Sequence, residues 1–153
     1  MNPNAENMPR TDVLLVEDSR GDVRLTQEAF RGVNPSVRLH VANDGVEAVN
    51  FLKNEGIWAN APRPDLILLD LNLPKMDGCE VLAQIKKDSK LKMIPTVILT
   101  TSEAETDIAR SYQLQANCYL TKPGQFGAFE NLVKSVNDFW LTTAKLPPQG
   151  LVA

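Results

Sequence analysis

Leu66-Ile67-Leu68-Leu69-Asp70, running on through Leu71-Asn72-Leu73-Pro74-Lys75-Met76-Asp77-Gly78, is the stretch that decides the fold. Four consecutive apolar residues are too short for a helix, and their lack of alternation is the mark of a central parallel strand covered on both faces. The run stops on an acid. Beyond it, Gly78, Val81, Leu82 and Ile85 recur at i, i+3, i+4 and i+7, so a helix follows the strand.

The same unit repeats on either side. Asp12 to Val16 opens onto Glu17-Asp18, Thr96 to Leu99 onto Thr100, and Cys118 to Thr121 onto Lys122. Val37, Leu39 and Val41 alternate with Arg38 and His40, which predicts a half-exposed strand with His40 pointing outward. Helical spacing appears in Leu25, Ala29 and Val33 with Phe30 beside them, in Ala48, Val49 and Leu52 after the Asn43-Asp44-Gly45 turn, and in Ile108, Ala109 and Tyr112. A last stripe comprises Phe129, Leu132, Val133, Val136 and Trp140. Four helices also start with a small acceptor and an acid three places on: Ser19 and Asp22, Asp44 and Glu47, Asp77 and Glu80, Ser102 and Glu105. These pairs resemble capping boxes. Five strand–helix units predict an α/β domain, a doubly wound five-stranded parallel sheet whose functional groups gather beyond the carboxyl ends of the strands.

On that rim Glu17, Asp18 and Asp70 come close together. Two like charges about 4 Å apart repel by about 4 kcal/mol at an effective dielectric of 20, so the cluster calls for a cation or for protons. Magnesium suits it: Asp18, Asp70, one backbone carbonyl and water would complete an octahedron, with Glu17 acting mainly through water and Asn72 placed to offer the carbonyl. With the field neutralised, the Asp70 carboxylate can attack a phosphoryl group while Lys122 and the Thr100 hydroxyl hold its outer oxygens. Taken singly, Asp18 reads equally well as a turn acid and Thr100 as a strand-end hydroxyl satisfying a backbone group; their combination with Asp70 and Lys122 favours the site.

VEDS at 16–19, LLDLNLPKMDG at 68–78, ILTTS at 98–102 and YLTKP at 119–123 together resemble the receiver domain of bacterial two-component response regulators. The resemblance spans residues 11–143, leaving tails at 1–10 and 144–153, and implies a flavodoxin-like sheet of strand order 2-1-3-4-5. Carried over position by position, it implies that Asp70 is the phosphoacceptor, that Glu17 and Asp18 are the metal-binding acids with Asn72 giving its carbonyl to Mg2+, and that Lys122 binds phosphate. Thr100 and Tyr119 take the place of the switch pair, and the Lys122–Pro123 bond that of a peptide usually cis. The EDSRGD start and the long linker before Asp65 look like stand-alone regulators that partner cyanobacterial phytochrome histidine kinases. Thr101, where the family often has Ala, leaves the lifetime of the phosphorylated state open.

Composition narrows the partners. With 153 residues, 43% hydrophobic and 23% charged, the chain suits one soluble domain, and its net charge of −3 offers no basic field for nucleic acid or an anionic membrane. No apolar run approaches the ~18 residues of a membrane span and the first ten residues hold no signal-like apolar core, so a cytoplasmic protein is expected. Cys79 and Cys118 lack ligand spacing and read as reduced packing residues. Lys86-Lys87 with Lys90 and Lys92 reads as a solvated helix end, and Trp58, Phe126 and Phe139 as edge packing or partner contacts. The expected partners are a sensor histidine kinase and a second copy docked through the fourth helix, last strand and last helix. Two other classes share parts of the pattern. A haloacid-dehalogenase-type phosphatase also uses an aspartyl nucleophile, a hydroxyl, a lysine and magnesium, but in the opposite chain order; a flavodoxin-type flavin carrier would find Glu17-Asp18 where its phosphate must sit.

Overall fold

The computed structural model of the chain describes residues 11–148, apart from the side chain of Phe126. The expected tail at 1–10, the end of the second tail at 149–153 and the role expected of the Phe126 side chain lie outside the described residues. Strands and helices alternate: β1 (Thr11–Val16), α1 (Arg20–Val33), β2 (Val37–Ala42), α2 (Gly45–Leu52), a 3-10 turn at Gly56–Trp58, β3 (Leu66–Leu69), α3 (Gly78–Lys87), β4 (Thr96–Thr100), α4 (Glu105–Gln113), β5 (Cys118–Thr121) and α5 (Phe126–Val136). The helical path continues beyond α5 as a π-helix over Asn137–Thr143. The sheet is parallel throughout, in the order β2-β1-β3-β4-β5. Among the described residues no helix is long and apolar enough to cross a membrane.

The wholly apolar strands are explained by the two layers they separate. Leu14, Val16, Ile67, Leu69 and Ile98 face one way, onto Ala48, Phe51, Val81, Leu82 and Ile85 of α2 and α3. Val13, Leu15, Leu66, Leu68 and Val97 face the other way, onto Ala29, Phe30, Phe129, Val133 and Val136 of α1 and α5. A period of two thus sends alternate residues into opposite cores. Full burial of each such side chain is worth about 1.5–3 kcal/mol. The register brings the strand ends level: Val16 pairs with Ala42 and Leu69, Leu69 with Ile98, and Thr100 with Thr121. Glu17, Asp70, Thr100 and Lys122 therefore share one rim.

Several local expectations change. Ser19, Asp44 and Asp77 cap their helices by accepting from the amides of Asp22, Glu47 and Glu80. Ser102 does not cap α4, whose N-cap is Ala104 and whose first turn has no side-chain cap; the Ser102 hydroxyl instead accepts from the Ala104 amide at 3.3 Å and donates to Asp107 Oδ2 at 2.5 Å. The expected face of α4 is also different. Ala109 and Tyr112 are exposed and Ile108 half-buried, while the small Ser111 is the residue that α4 buries, so the helix rests on the sheet through a side chain that takes little room. His40 does not simply face solvent: its Nε2 lies 2.9 Å from Asp12 Oδ1 and its ring packs on Phe51, because the buried Asp12 at the far end of β1 needs partners and takes both His40 and Arg38. Lys86 is likewise not a solvated helix end. Its ammonium donates to the carbonyls of Lys92 and Ile94 and to Asn117 Oδ1, and burial lowers its pKa. Trp58 packs on Phe51 and the core beneath, whereas Phe139 remains exposed beside Trp140. Both cysteines are free, with thiol pKa values raised by burial.

Two helix starts press on the loop after β3. A Cβ at Gly78 would lie 2.2 Å from the Asp70 carbonyl oxygen and 2.6 Å from Leu71 Cα, and one at Gly45 would lie 2.0 Å from the Met76 carbonyl oxygen. Those contacts are with backbone and cannot be relieved by a rotamer. We therefore expect Gly78→Ala to lower unfolding free energy by about 1–3 kcal/mol, the usual cost of overpacking, with the midpoint of denaturant unfolding as the measurement.

Candidate functional site

The carboxyl-end rim is organised by one buried ammonium. Lys122, the residue after β5, has a side chain only 5% exposed, and its Nζ donates to Glu17 Oε2 at 2.5 Å, Asp70 Oδ2 at 2.8 Å and Asp22 Oδ2 at 2.9 Å. Its backbone N–H donates to the Thr100 carbonyl at 2.7 Å, continuing the β4–β5 ladder by one residue and fixing where the side chain starts. Asp70 is held at its other oxygen, where Oδ1 accepts from the Asn72 amide at 3.1 Å. Glu17 is held in the same way, its Oε1 accepting from the Ser19 amide at 3.0 Å.

Burial sets the protonation of these groups. It pushes Glu17 up to about 7, and the neighbouring Asp70 adds to the rise against the opposing pull of Lys122. For Asp70, burial also acts upward, but hydrogen bonding to Glu17 and Lys122 outweighs it and leaves the carboxyl below its ordinary value. In Lys122, burial acts downward and is overcome by hydrogen bonds to Asp70, Glu17 and Asp22, so the amine stays charged well above its ordinary range.

Of the residues the sequence singled out, the structure joins Glu17, Asp70 and Lys122. Asp18 is exposed and stands outside this ion-pair cluster. Asn72 enters through its amide. Thr100 is fully buried, and its Oγ1 is the one buried side-chain polar atom without a partner among the described residues. Tyr119 is half-buried and donates its hydroxyl to the Ser102 carbonyl at 2.8 Å, its phenol pKa raised chiefly by burial. The Lys122–Pro123 bond is trans, the isomer an X–Pro amide ordinarily prefers by about 0.5–1 kcal/mol. Asp22 was missed as a site residue. Its position as the acid of a helix cap gave it another job, and only the acidic spacing Glu17-Asp18-x-x-x-Asp22 hinted at a wider cluster.

Three carboxylates around one ammonium leave a surplus of negative charge, and all the donors are hard oxygens. That chemistry fits magnesium or manganese. As the side chains stand, no three His, Cys, Asp or Glu groups among the described residues form a ready metal cage, since Lys122 itself occupies the space between the acids. The unsatisfied Thr100 hydroxyl adds a second open valence on the same rim.

The response regulator receiver domain model matches residues 13–137. This chain belongs to the response regulator receiver family. It is 49% identical over 142 residues to response regulator Rcp1 of Synechocystis sp., an alignment covering 93% of this chain and 97% of Rcp1. The crystal structure of a phosphorylated cyanobacterial phytochrome response regulator, RcpA, superposes with a TM-score of 0.89 at 50% identity, covering 92% of this chain and 100% of RcpA. A Mn2+-bound form of Rcp1 superposes with a TM-score of 0.86 at 48% identity over 90% of this chain and 99% of Rcp1. The receiver is thus related to phytochrome response regulators and belongs to a signalling family; neither this membership nor the site supports a haloacid-dehalogenase-type phosphatase.

Two outcomes follow for the isolated receiver without metal. Between the ordinary glutamate value of 4.5 and about 7, the folded state keeps a proton on Glu17 that the unfolded chain has released. Stability therefore falls as pH rises through this window, and Glu17→Gln should flatten the fall when unfolding is followed at pH values across it. The lowered Asp70 pKa acts in the opposite sense and at lower pH, its contribution being lost as pH drops through the carboxylate range. Thr100→Val should raise stability by roughly 1–2 kcal/mol, because it removes a buried hydroxyl with no partner while keeping the shape; calorimetry reads this directly.

Proposed function

We propose that this receiver, with residues 11–143 as its working unit, accepts a phosphoryl group on Asp70 from a sensor histidine kinase of the phytochrome type and signals by changing its protein contacts. The observation that carries the reading is the buried Lys122 ammonium donating to Asp70 at 2.8 Å beside the unpartnered Thr100 hydroxyl. One side has a nucleophile kept ionised by a fixed cation; the other has a donor with nothing yet to bind. In the transfer, an Asp70 carboxylate oxygen forms the new bond to phosphorus as the phosphorus–nitrogen bond of the donor imidazole breaks, and the electron pair returns to that ring. Lys122 and Thr100 take the outer phosphoryl oxygens.

Magnesium, bound by Asp18, Asp70 and the Asn72 carbonyl with Glu17 acting through water, would screen the acids and the incoming phosphoryl charge. Kinship with phytochrome response regulators supports the choice of kinase. Tyr119 and Thr100 form the switch pair, and a second copy docks on the face of α4, β5 and α5, where Tyr112 of α4 is exposed. The test is modification by acetyl phosphate or beryllofluoride with magnesium. Wild type should be modified and Asp70→Asn should not; equal labelling of both would remove Asp70 from its role. Lys122→Ala should retain metal binding yet show no phosphorylation-dependent change in sedimentation, whereas a wild-type response in that variant would refute the role given to Lys122.

A further inference from the structure

The connection between α2 and β3 takes no part in the acidic rim, yet it is firmly built. Asn54 turns the chain at φ 57° and donates its side-chain amide to the carbonyls of Trp58 at 3.1 Å and Ala61 at 2.8 Å, Gly56 continues the turn at φ 62°, and Trp58 is anchored on Phe51. This fixed turn presents Ile57 to solvent at 90% exposure. Beside it runs a groove of about 340 Å³, lined by Val46, Glu47, Asn50, Glu55 and Trp58, in which Val46 is 40% exposed. The groove is acidic. Lys75, the cation in its lining, is matched by Asp44 at 3.5 Å; Glu47 gives one oxygen to the Asn43 amide, and the Glu55 carboxylate has no partner among the described residues.

A second surface carries the opposite charge. After the end of α3, Lys90 and Lys92 are exposed, with no side-chain partners among the described residues, and Met93 beside them is 40% exposed. This segment is fixed as well: Asp88 Oδ1 accepts from the amides of Lys90 and Leu91, and Lys86 donates to the carbonyls of Lys92 and Ile94. Surfaces held in place before docking lose little conformational entropy when they dock. The groove's charge repels nucleic acid and anionic lipid. A twofold contact of groove on groove would set Glu47 and Glu55 against the same acids of the other copy. What complements the groove is a surface with lysines around an apolar side chain, and the chain itself carries one elsewhere.

We propose that the groove beside α2 receives the α3–β4 connection of a second copy, Met93 meeting Val46 and Ile57 while Lys90 and Lys92 meet Glu47 and Glu55. The two surfaces differ, so the contact is heterologous: a bound pair leaves one groove and one basic patch free, and copies add head to tail. This contact is separate from the face of α4, β5 and α5 and stands without the phosphoacceptor reading.

The test is sedimentation velocity of the full chain, without phosphoryl donor or mimic, over a concentration series at low salt. The mass of wild type should rise with concentration, and about 1 M salt, where the screening length is about 3 Å, should weaken the rise. A groove variant, Glu55→Gln with Ile57→Ser, and a patch variant, Lys90→Gln with Lys92→Gln, change only exposed side chains; each should associate about tenfold more weakly, the scale of two exposed contacts. The groove variant keeps its basic patch and the patch variant keeps its groove. Mixed in equal amounts, the two should therefore form 1:1 pairs at wild-type strength, at concentrations where neither associates alone. A wild type that stays monomeric throughout overturns the proposal and leaves the groove to a basic segment of another protein. Association that stops at two copies and is untouched by either variant, that ignores salt, or that mixing does not restore overturns it too.

Discussion

A buried ammonium must be matched by buried acid, and in this receiver that requirement ties the two halves of the sheet together. Lys122 follows β5, yet its carboxylate partners lie at the ends of β3 and β1, across the intervening β4. Neighbouring strands stand about 4.8 Å apart, so the four-carbon reach of Lys122 is needed to close the span to the short side chain of Asp70. The level strand ends make this geometry available, and the apolar alternation within each strand keeps them level. A slip of one residue in any strand would exchange its two core faces and withdraw its rim residue together. Packing and site are therefore specified by the same register.

The rim nonetheless stays incompletely satisfied. Three carboxylates share one ammonium, Glu17 responds by holding its proton up to about 7, and Thr100 keeps a buried hydroxyl without a partner. A domain selected for stability alone would have little reason to retain either feature, since an apolar residue at Thr100 and fewer acids on the rim would both relieve it. Local conflicts of this kind mark sites where a ligand supplies what the fold leaves out. Here the missing parts are a cation to meet the surplus acid and an oxygen to receive the hydroxyl, and the proposed metal-assisted phosphoryl group would bring both.

How much of this could be read from the chain depended on the range of the signal. Leu66 to Leu69 and Val13 to Val16 announced buried parallel strands because both faces of each are covered, and the reactive residue after each run marked the rim. Other features depended on partners distant in sequence. His40 alternates like an outward residue, and only the buried Asp12 on the neighbouring strand draws it in. Asp22 looked like a cap because the pattern ends three residues away, while its actual partner lies on the opposite side of the sheet. The apolar stripe of α5 was legible through Val136, but the change to a π-helix at Asn137 was not. It coincides with a buried polar contact, in which Asn34 Nδ2 donates to Asn137 Oδ1 at 2.9 Å.

The stripe assigned to α4 was misread for a reason that bears on function. Ser111 is the residue that α4 buries, and Tyr112 is half exposed, so displacing this helix would sacrifice little apolar contact. Its attachment is mostly polar and concentrated at one end, where Ser102 donates to Asp107 and its carbonyl receives the Tyr119 hydroxyl. Segments held by few apolar contacts are those that open at low cost. The orphan hydroxyl of Thr100 lies two residues before Ser102 on the same connection. A pull on Thr100 would thus reach the least firmly packed helix through the shortest covalent path, whereas α1 and α5, with Phe30, Phe129, Val133 and Val136 locked in the opposite core, would resist it. On the proposed phosphoacceptor reading, an orphan hydroxyl joined to an element that is cheap to move is how bond formation at Asp70 would become a change of surface rather than a local rearrangement.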